Sequence, residues 1–129
     1  MTEVLWQLKE LGVRLAIDGY GTGYASVSQL KSMPIDVLKI DPGLIASTQD
    51  AERRRELLGA IVRIGHALSL VVIADGIERP SQLAAAREAG CDLAQGYLLG
   101  RPLPSEEAQR LIAECGAPSG RHLRLAARP

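Results

Sequence analysis

Six polar residues stand within or just after short apolar runs: Asp18, Lys39, Asp41, Asp75, Glu78 and Gln95. Carboxylates from separate segments that converge with a lysine suit a divalent cation handling a phosphate. Hard oxygen donors hold Mg²⁺ or Mn²⁺, and an ammonium offsets the negative charge of the phosphate. Each carboxylate taken alone also fits a plainer role, as the cap of a strand or of a helix N-terminus. Lys39 fits that role less well, because it lies inside the apolar run 35–40, where an unpaired buried charge is costly. Other chemistries have less support. His66 falls in a long helical pattern and His122 near the C-terminal end, and no serine or cysteine is placed beside either as a nucleophile. Gly19, Gly21 and Gly23 follow neither the phosphate-loop spacing ending in GKT or GKS nor GxGxxG.

The elements that must position these residues alternate. Val4, Leu5, Leu8 and Leu11 recur at helical spacing before Gly12, and residues 13–17 read as a first strand ending at Asp18. A helix over 25–33 stopped by Pro34, a strand over 35–40, and a short turn or helix over 42–47 follow. Asp50 is placed to N-cap the longest helix, 51–68, with Leu57, Leu58, Ile61, Val62, Gly65 and Leu68 on its inner face and Arg53 to Arg55 on a solvated one. Residues 70–74 form a third, almost wholly apolar strand. A helix opened by Pro80 and Ser81 and closed by Gly90 follows, then a weak strand over 92–95 and a helix over 106–115 with Ser105 as its cap. Four strands alternating with helices, all expected parallel, give an α/β class, and four βα units are half of a TIM-like barrel of about 250 residues.

The 129 residues allow one domain, expected over 1–115, and a loose basic tail over 116–129 carrying Arg121, Arg124 and Arg128. Fifteen basic and fifteen acidic residues cancel, which gives no argument for a nucleic-acid polymer or an anionic membrane surface. Cys91 and Cys115 lack metal-site spacing and read as small buried hydrophobes in a reduced compartment. No apolar run reaches membrane-spanning length and no signal-peptide pattern opens the chain, so a cytoplasmic location is expected. Tyr20, Tyr24 and Tyr97 all lie in or beside the expected strand-end loops, where ligand pockets recruit tyrosines.

These residues carry a family resemblance. The run Leu15-Ala16-Ile17-Asp18-Gly19-Tyr20-Gly21-Thr22-Gly23-Tyr24 resembles the DDFGTGY segment of EAL domains, the bacterial cyclic di-GMP phosphodiesterases. Leu38-Lys39-Ile40-Asp41 is similar to their KID segment, and Val72-Ile73-Ala74-Asp75-Gly76-Ile77-Glu78 to their AEGVE segment. Gly90-Cys91-Asp92, Gln95-Gly96-Tyr97 and Arg101-Pro102-Leu103 resemble the final GCD, QGY and RPL signature, so the likeness covers about residues 4 to 115.

The resemblance implies a TIM-like barrel whose strand-end face binds cyclic di-GMP. Two Mg²⁺ or Mn²⁺ ions there activate a water that opens one phosphodiester. By the same resemblance Asp18 and Asp75 occupy metal-ligand positions, and Lys39 orients the attacking water and phosphate. Glu78 anchors the loop that starts at Gly19, and Gln95 lines the site. Tyr20, Arg101 and Pro102 lie near the nucleotide.

Three departures bear on activity. Gly19 stands where the family has a second aspartate, and Asp75 where it has a glutamate one methylene longer. The half of the pattern that carries the EAL signature and two further metal-ligand positions is missing. Displacing a ligand by about an ångström can cost about 10²-fold in rate. The expectation is therefore a sensor or regulatory module with hydrolysis lost or severely weakened. One alternative is a phosphodiesterase completed by its missing N-terminal half, and the other is an inert remnant or dimerising scaffold. Open sheet edges favour pairing, so the chain is expected to be part of a longer protein or a homodimer.

Overall fold

Short runs of aliphatic residues with no room for a helical turn become strands. In the computed structural model, which describes residues 2–23, 26–41, 43–44 and 50–115, these are β1 (Ala16–Tyr20), β2 (Val37–Ile40), β3 (Val71–Ala74) and β4 (Leu93–Ala94). They form one parallel sheet in the order β1-β2-β3-β4. Parallel neighbours need a crossover, and helices supply it. α1 (Thr2–Glu10) leads into β1, α2 (Val27–Ser32) joins β1 to β2, and α3 (Ala51–Ala67) joins β2 to β3. α4 (Pro80–Ala89) joins β3 to β4, and α5 (Ser105–Cys115) follows the sheet. This is the α/β arrangement of half a barrel, with β1 and β4 as the sheet's edges.

Local chemistry sets the helix ends. Ser26 and Gln29 form a reciprocal cap: the Gln29 N–H donates to Ser26 Oγ at 3.2 Å, and the Ser26 N–H donates to Gln29 Oε1 at 2.9 Å. Asp50 accepts the Glu52 and Arg53 N–H groups at the start of α3. Gly90, at φ +86°, closes α4 in the left-handed region that a side chain would strain.

The core lies between the sheet and the helices. Leu38, Ile40, Val72 and Ala74 point to that side and are wholly buried against Leu30 of α2, Leu58, Ile61 and Val62 of α3, and Ala86 of α4. Gly65 lets α3 come down on β3, since a Cβ there would lie 2.5 Å from Val72 Cγ2. Strand side chains alternate, so Val37, Lys39, Val71, Ile73 and Asp75 belong to the opposite face. Each fully buried Leu, Ile or Val contributes about 1.5–3 kcal/mol by leaving water.

At the N-terminal end of the sheet, two aspartates tie strands together. Asp36 accepts the Leu15 N–H at 2.8 Å and both of its oxygens take the Lys9 ammonium, at 2.6 and 2.8 Å. Asp92 accepts the Val72 N–H at 2.7 Å and lies 3.0 Å from His66 Nε2. Each carboxylate precedes one strand and grips the backbone beside its neighbour.

Several expectations shift. The first strand is Ala16–Tyr20 rather than 13–17, because the chain stays paired through Asp18 and Gly19. Ser105 begins α5 instead of capping it. Leu57 is 39% exposed while Gly59 is buried, so the inner face of α3 is rotated towards Leu58, Gly59, Ile61, Val62 and Gly65. Arg54 is only half-exposed within its basic run. Cys115 is exposed and Cys91 is half-buried, its thiol pushed up to about 11 by burial. The turn expected over 42–47, Tyr24, and the tail 116–129 lie wholly or largely outside the described residues. No helix among the described residues is long and apolar enough to cross a membrane.

The Asp36 clamp carries a testable pH dependence. The Lys9 hydrogen bond first, then the Leu15 N–H, hold its carboxyl below the ordinary 3.8. A lowered value in the folded state means a contribution present above 3.8 and lost as the pH falls through the folded value. Asp36→Asn is expected to cost about 1–2 kcal/mol near neutral pH in urea denaturation. The gap to wild type should close in acid; a gap independent of pH would contradict the clamp.

Candidate functional site

The site begins with an irregularity in β1. Ile17 pairs with Leu38 and Tyr20 with Ile40, so three steps along β1 span two along β2. The extra residue is accommodated at Asp18-Gly19, where Gly19 adopts φ +69°. That is a bulge of the kind glycine permits. Ile17 packs on the core side, which turns Asp18 to the opposite face, beside Lys39. After the bulge Tyr20 is returned to the core side and packs against the buried cluster. The structure thus sets Tyr20 apart from the other expected site residues.

Lys39 opposes Ile73 in the ladder, one step short of Asp75. Its Nζ lies 2.8 Å from Asp75 Oδ2 and 3.3 Å from Asp18 Oδ1. The lysine side chain is 17% exposed, Asp75 23% and Asp18 72%. The Asp75 hydrogen bond raises the Lys39 pKa, burial opposes it, and Asp18 adds to the rise. Lys39 therefore stays charged at any ordinary pH, and its stabilising contribution fades only as the pH rises through that elevated value.

Each carboxylate is also tied to its own turn. Asp18 Oδ1 accepts the Gly19 N–H at 2.9 Å and Asp75 Oδ1 the Gly76 N–H at 2.8 Å. Asp41 caps the following turn through the Gly43 N–H at 2.7 Å. A Cβ at position 19 would meet only Asp41 Oδ2, at 3.9 Å, so a side chain there has space.

The loops after β3 and β4 are zipped together by backbone. The Ile77 N–H donates to the Gln95 carbonyl at 2.9 Å, and the Leu98 N–H to the Ile77 carbonyl at 3.0 Å. Gly96 sits between these bonds, and a Cβ on it would fall 2.2 Å from both the nitrogen and the oxygen of Ile77. Ile77 is itself wholly buried.

The joined loops enclose an open pocket of about 550 Å³ lined by Asp75, Glu78, Gln95, Tyr97, Arg101 and Pro102, with Gly76, Gly96 and Gly100. The Arg101 guanidinium lies 5.0 Å from the centre of the Tyr97 ring, a cation–π contact that orders both. Glu78 is exposed at the rim, its N–H donating to Gln82 Oε1 at 2.9 Å.

Five of the eight expected site residues, namely Asp75, Glu78, Gln95, Arg101 and Pro102, thus share one pocket. Lys39 and Asp18 adjoin it through Asp75. A larger cavity of about 710 Å³ lies between α3 and α4, lined by Glu52, Arg54, Arg55, Arg79, Gln82 and Glu88, away from these groups.

The arrangement offers two carboxylates already bridged by an ammonium, next to a pocket with an amide, an aromatic ring and a guanidinium. A cation shared by Asp18 and Asp75 would have to take the space of the Lys39 ammonium. Among the described residues no three His, Cys, Asp or Glu side chains group as a metal site. What residue types alone did not reveal is the strand clamp by Asp36 and Asp92 and the place of Tyr97 beside Arg101. The QGY-RPL run held the signal for Tyr97, as an aromatic four residues before an arginine in a glycine-bounded loop.

Known proteins share this fold and sequence. The family model for the EAL domain matches residues 1–102. The cyclic di-GMP phosphodiesterase NbdA of Pseudomonas aeruginosa is 46% identical over 101 residues, 78% of this chain and 13% of that protein. A solved complex of the PaMucR phosphodiesterase with c-di-GMP superposes with a TM-score of 0.74 at 39% identity, covering 83% of this chain and 43% of that one. A manganese and c-di-GMP complex of Klebsiella pneumoniae BlrP1 gives 0.70 at 31% identity, over 78% of this chain and 26% of that one. The chain spans about one eighth of the length of NbdA and less than half of either solved chain.

The loop zipper makes a sharp expectation. Gly96→Ala forces a methyl group into the Ile77 backbone, so the chain should lose about 1–3 kcal/mol. The Ile77 and Leu98 amides should lose hydrogen-exchange protection ahead of β2 and β3. Unchanged stability and unchanged protection would contradict the close approach.

Proposed function

We propose that this chain, which belongs to the EAL domain family, serves cyclic di-GMP signalling as a sensor or regulatory module in the cytoplasm. It recognises the dinucleotide at the strand-end face, with hydrolysis lost or severely weakened. The relation to cyclic di-GMP phosphodiesterases supports the ligand. One observation carries the loss of hydrolysis: the two carboxylates that face each other across the sheet, Asp18 and Asp75, are bridged by Lys39.

Mg²⁺ or Mn²⁺ is the cofactor implied for the family's chemistry, where it supplies an activated water and neutralises charge on the phosphodiester. The described residues do not fit such a pair of ions. Gly19 contributes no carboxylate, Asp41 is committed to its own turn, and the remaining two share one ammonium.

Within the module, which we place over residues 1–115, each retained group has a task. Arg101 and Tyr97 present a planar, positively charged edge that suits a purine base and a phosphate. Gln95 offers an amide that both donates and accepts hydrogen bonds. Lys39 supplies the positive charge behind Asp75, and Glu78 closes the rim near the turn at Gly19. Pro102 fixes the backbone that carries Arg101. The edges β1 and β4 suit pairing with a second copy or with the other half of a barrel.

A second reading has its own support. The pocket keeps Glu78, Gln95 and Arg101 together, which suits a phosphodiesterase completed by further βα units. Calorimetry with cyclic di-GMP, paired with a turnover assay in Mg²⁺ and in Mn²⁺, separates the two. The expected result is binding without release of the linear dinucleotide. Turnover would support the phosphodiesterase, and absence of binding would overturn the sensor.

A further inference from the structure

We propose that Lys39 is the resident cation of this site and keeps divalent metal out, so that Asp18 and Asp75 take up a metal ion only when the Lys39 charge is removed. The ammonium touches both carboxylates, at 2.8 Å and 3.3 Å. A divalent ion shared by the same two groups would lie about 2.0–2.6 Å from each oxygen. That position falls within the volume the ammonium fills, and two positive charges there repel strongly.

Lys39 cannot easily step aside. Its stem runs within the sheet, its side chain is 17% exposed, and its backbone is locked in the β2–β3 ladder. Leaving both carboxylates would strand the ammonium with little water. Nor do the carboxylates offer a second face together. Asp75 Oδ1 is held by the Gly76 N–H, and Asp18 Oδ1 by the Gly19 N–H as well as by Lys39.

Asp41, the nearest further carboxylate along the sheet, uses Oδ1 on the Gly43 N–H at 2.7 Å. Its free oxygen is one donor, too few to outweigh the repulsion. Exclusion of metal in this way holds whether or not the dinucleotide binds, so it is separable from the function proposed above.

Titration of the full 129-residue chain with Mn²⁺, read by the electron paramagnetic resonance of the free ion, tests it. Lys39→Met and Lys39→Gln keep much of the side-chain volume without the charge. They are expected to bind Mn²⁺ about tenfold more tightly than wild type or more, because one repelling charge is gone. Lys39→Arg keeps the charge and should bind as weakly as wild type, and adding Asp75→Asn to Lys39→Met should cancel the gain. Equal affinity in wild type and both neutral variants overturns the proposal, as does tight binding by Lys39→Arg. A measurement on the unaltered chain guards against variants that fail to fold. Mn²⁺ should leave its melting temperature unchanged, and a rise with Mn²⁺ concentration would mean the folded site already accepts the metal.

Discussion

A single ammonium group sets the terms for the upper half of this sheet. Lys39 stands in the middle of an aliphatic strand, and its side chain is only 17% exposed. A charge so placed must be paired, and the surrounding backbone meets that demand twice. The bulge at Asp18-Gly19 turns one carboxylate towards it, and the residue one step beyond Ile73 supplies the other. With Asp75 pinned by Lys39 and by the Gly76 N–H, the loop after β3 is fixed, and through Ile77 it fixes the loop after β4.

The sheet divides its work by face and by end. One face is aliphatic and packs under α2, α3 and α4, while the other carries the charged groups. At the N-terminal end, Asp36 and Asp92 spend their carboxylates on strand backbone and set the register. At the C-terminal end, Asp18 and Asp75 face a lysine and a pocket. Four aspartates of the same chemistry therefore have two different uses, and only their position along the strands separates them. That separation is what parallel βα architectures generally show, with stability at one rim and recognition at the other.

Much of this was legible in the residues. Alternating apolar runs and helical patterns gave the α/β class and the sequential parallel sheet. The motifs around Asp18, Lys39, Asp75 and Gln95 gave the face on which function lies. Three things were hidden, each for a physical reason. Glycine and aspartate usually end strands, yet in β1 they form a bulge inside one, so its boundary and the side on which Tyr20 emerges depend on pairing with β2. The inner face of α3 depends on how closely Gly65 approaches Val72, which spacing alone does not reveal. The clamps by Asp36 and Asp92 are long-range side-chain-to-backbone bonds with no local pattern. Gly19 shows the opposite case: its freedom to adopt φ +69° explains the bulge, while the carboxylate it lacks weakens the case for catalysis.

The central claim is that Lys39 and Asp75 act as one pair that organises the site. A double-mutant cycle on stability measures it directly, using Lys39→Met, Asp75→Asn and the two combined, each by urea denaturation near neutral pH. A coupling of about 1–3 kcal/mol between the two positions is expected. Strict additivity of the two single changes would contradict it.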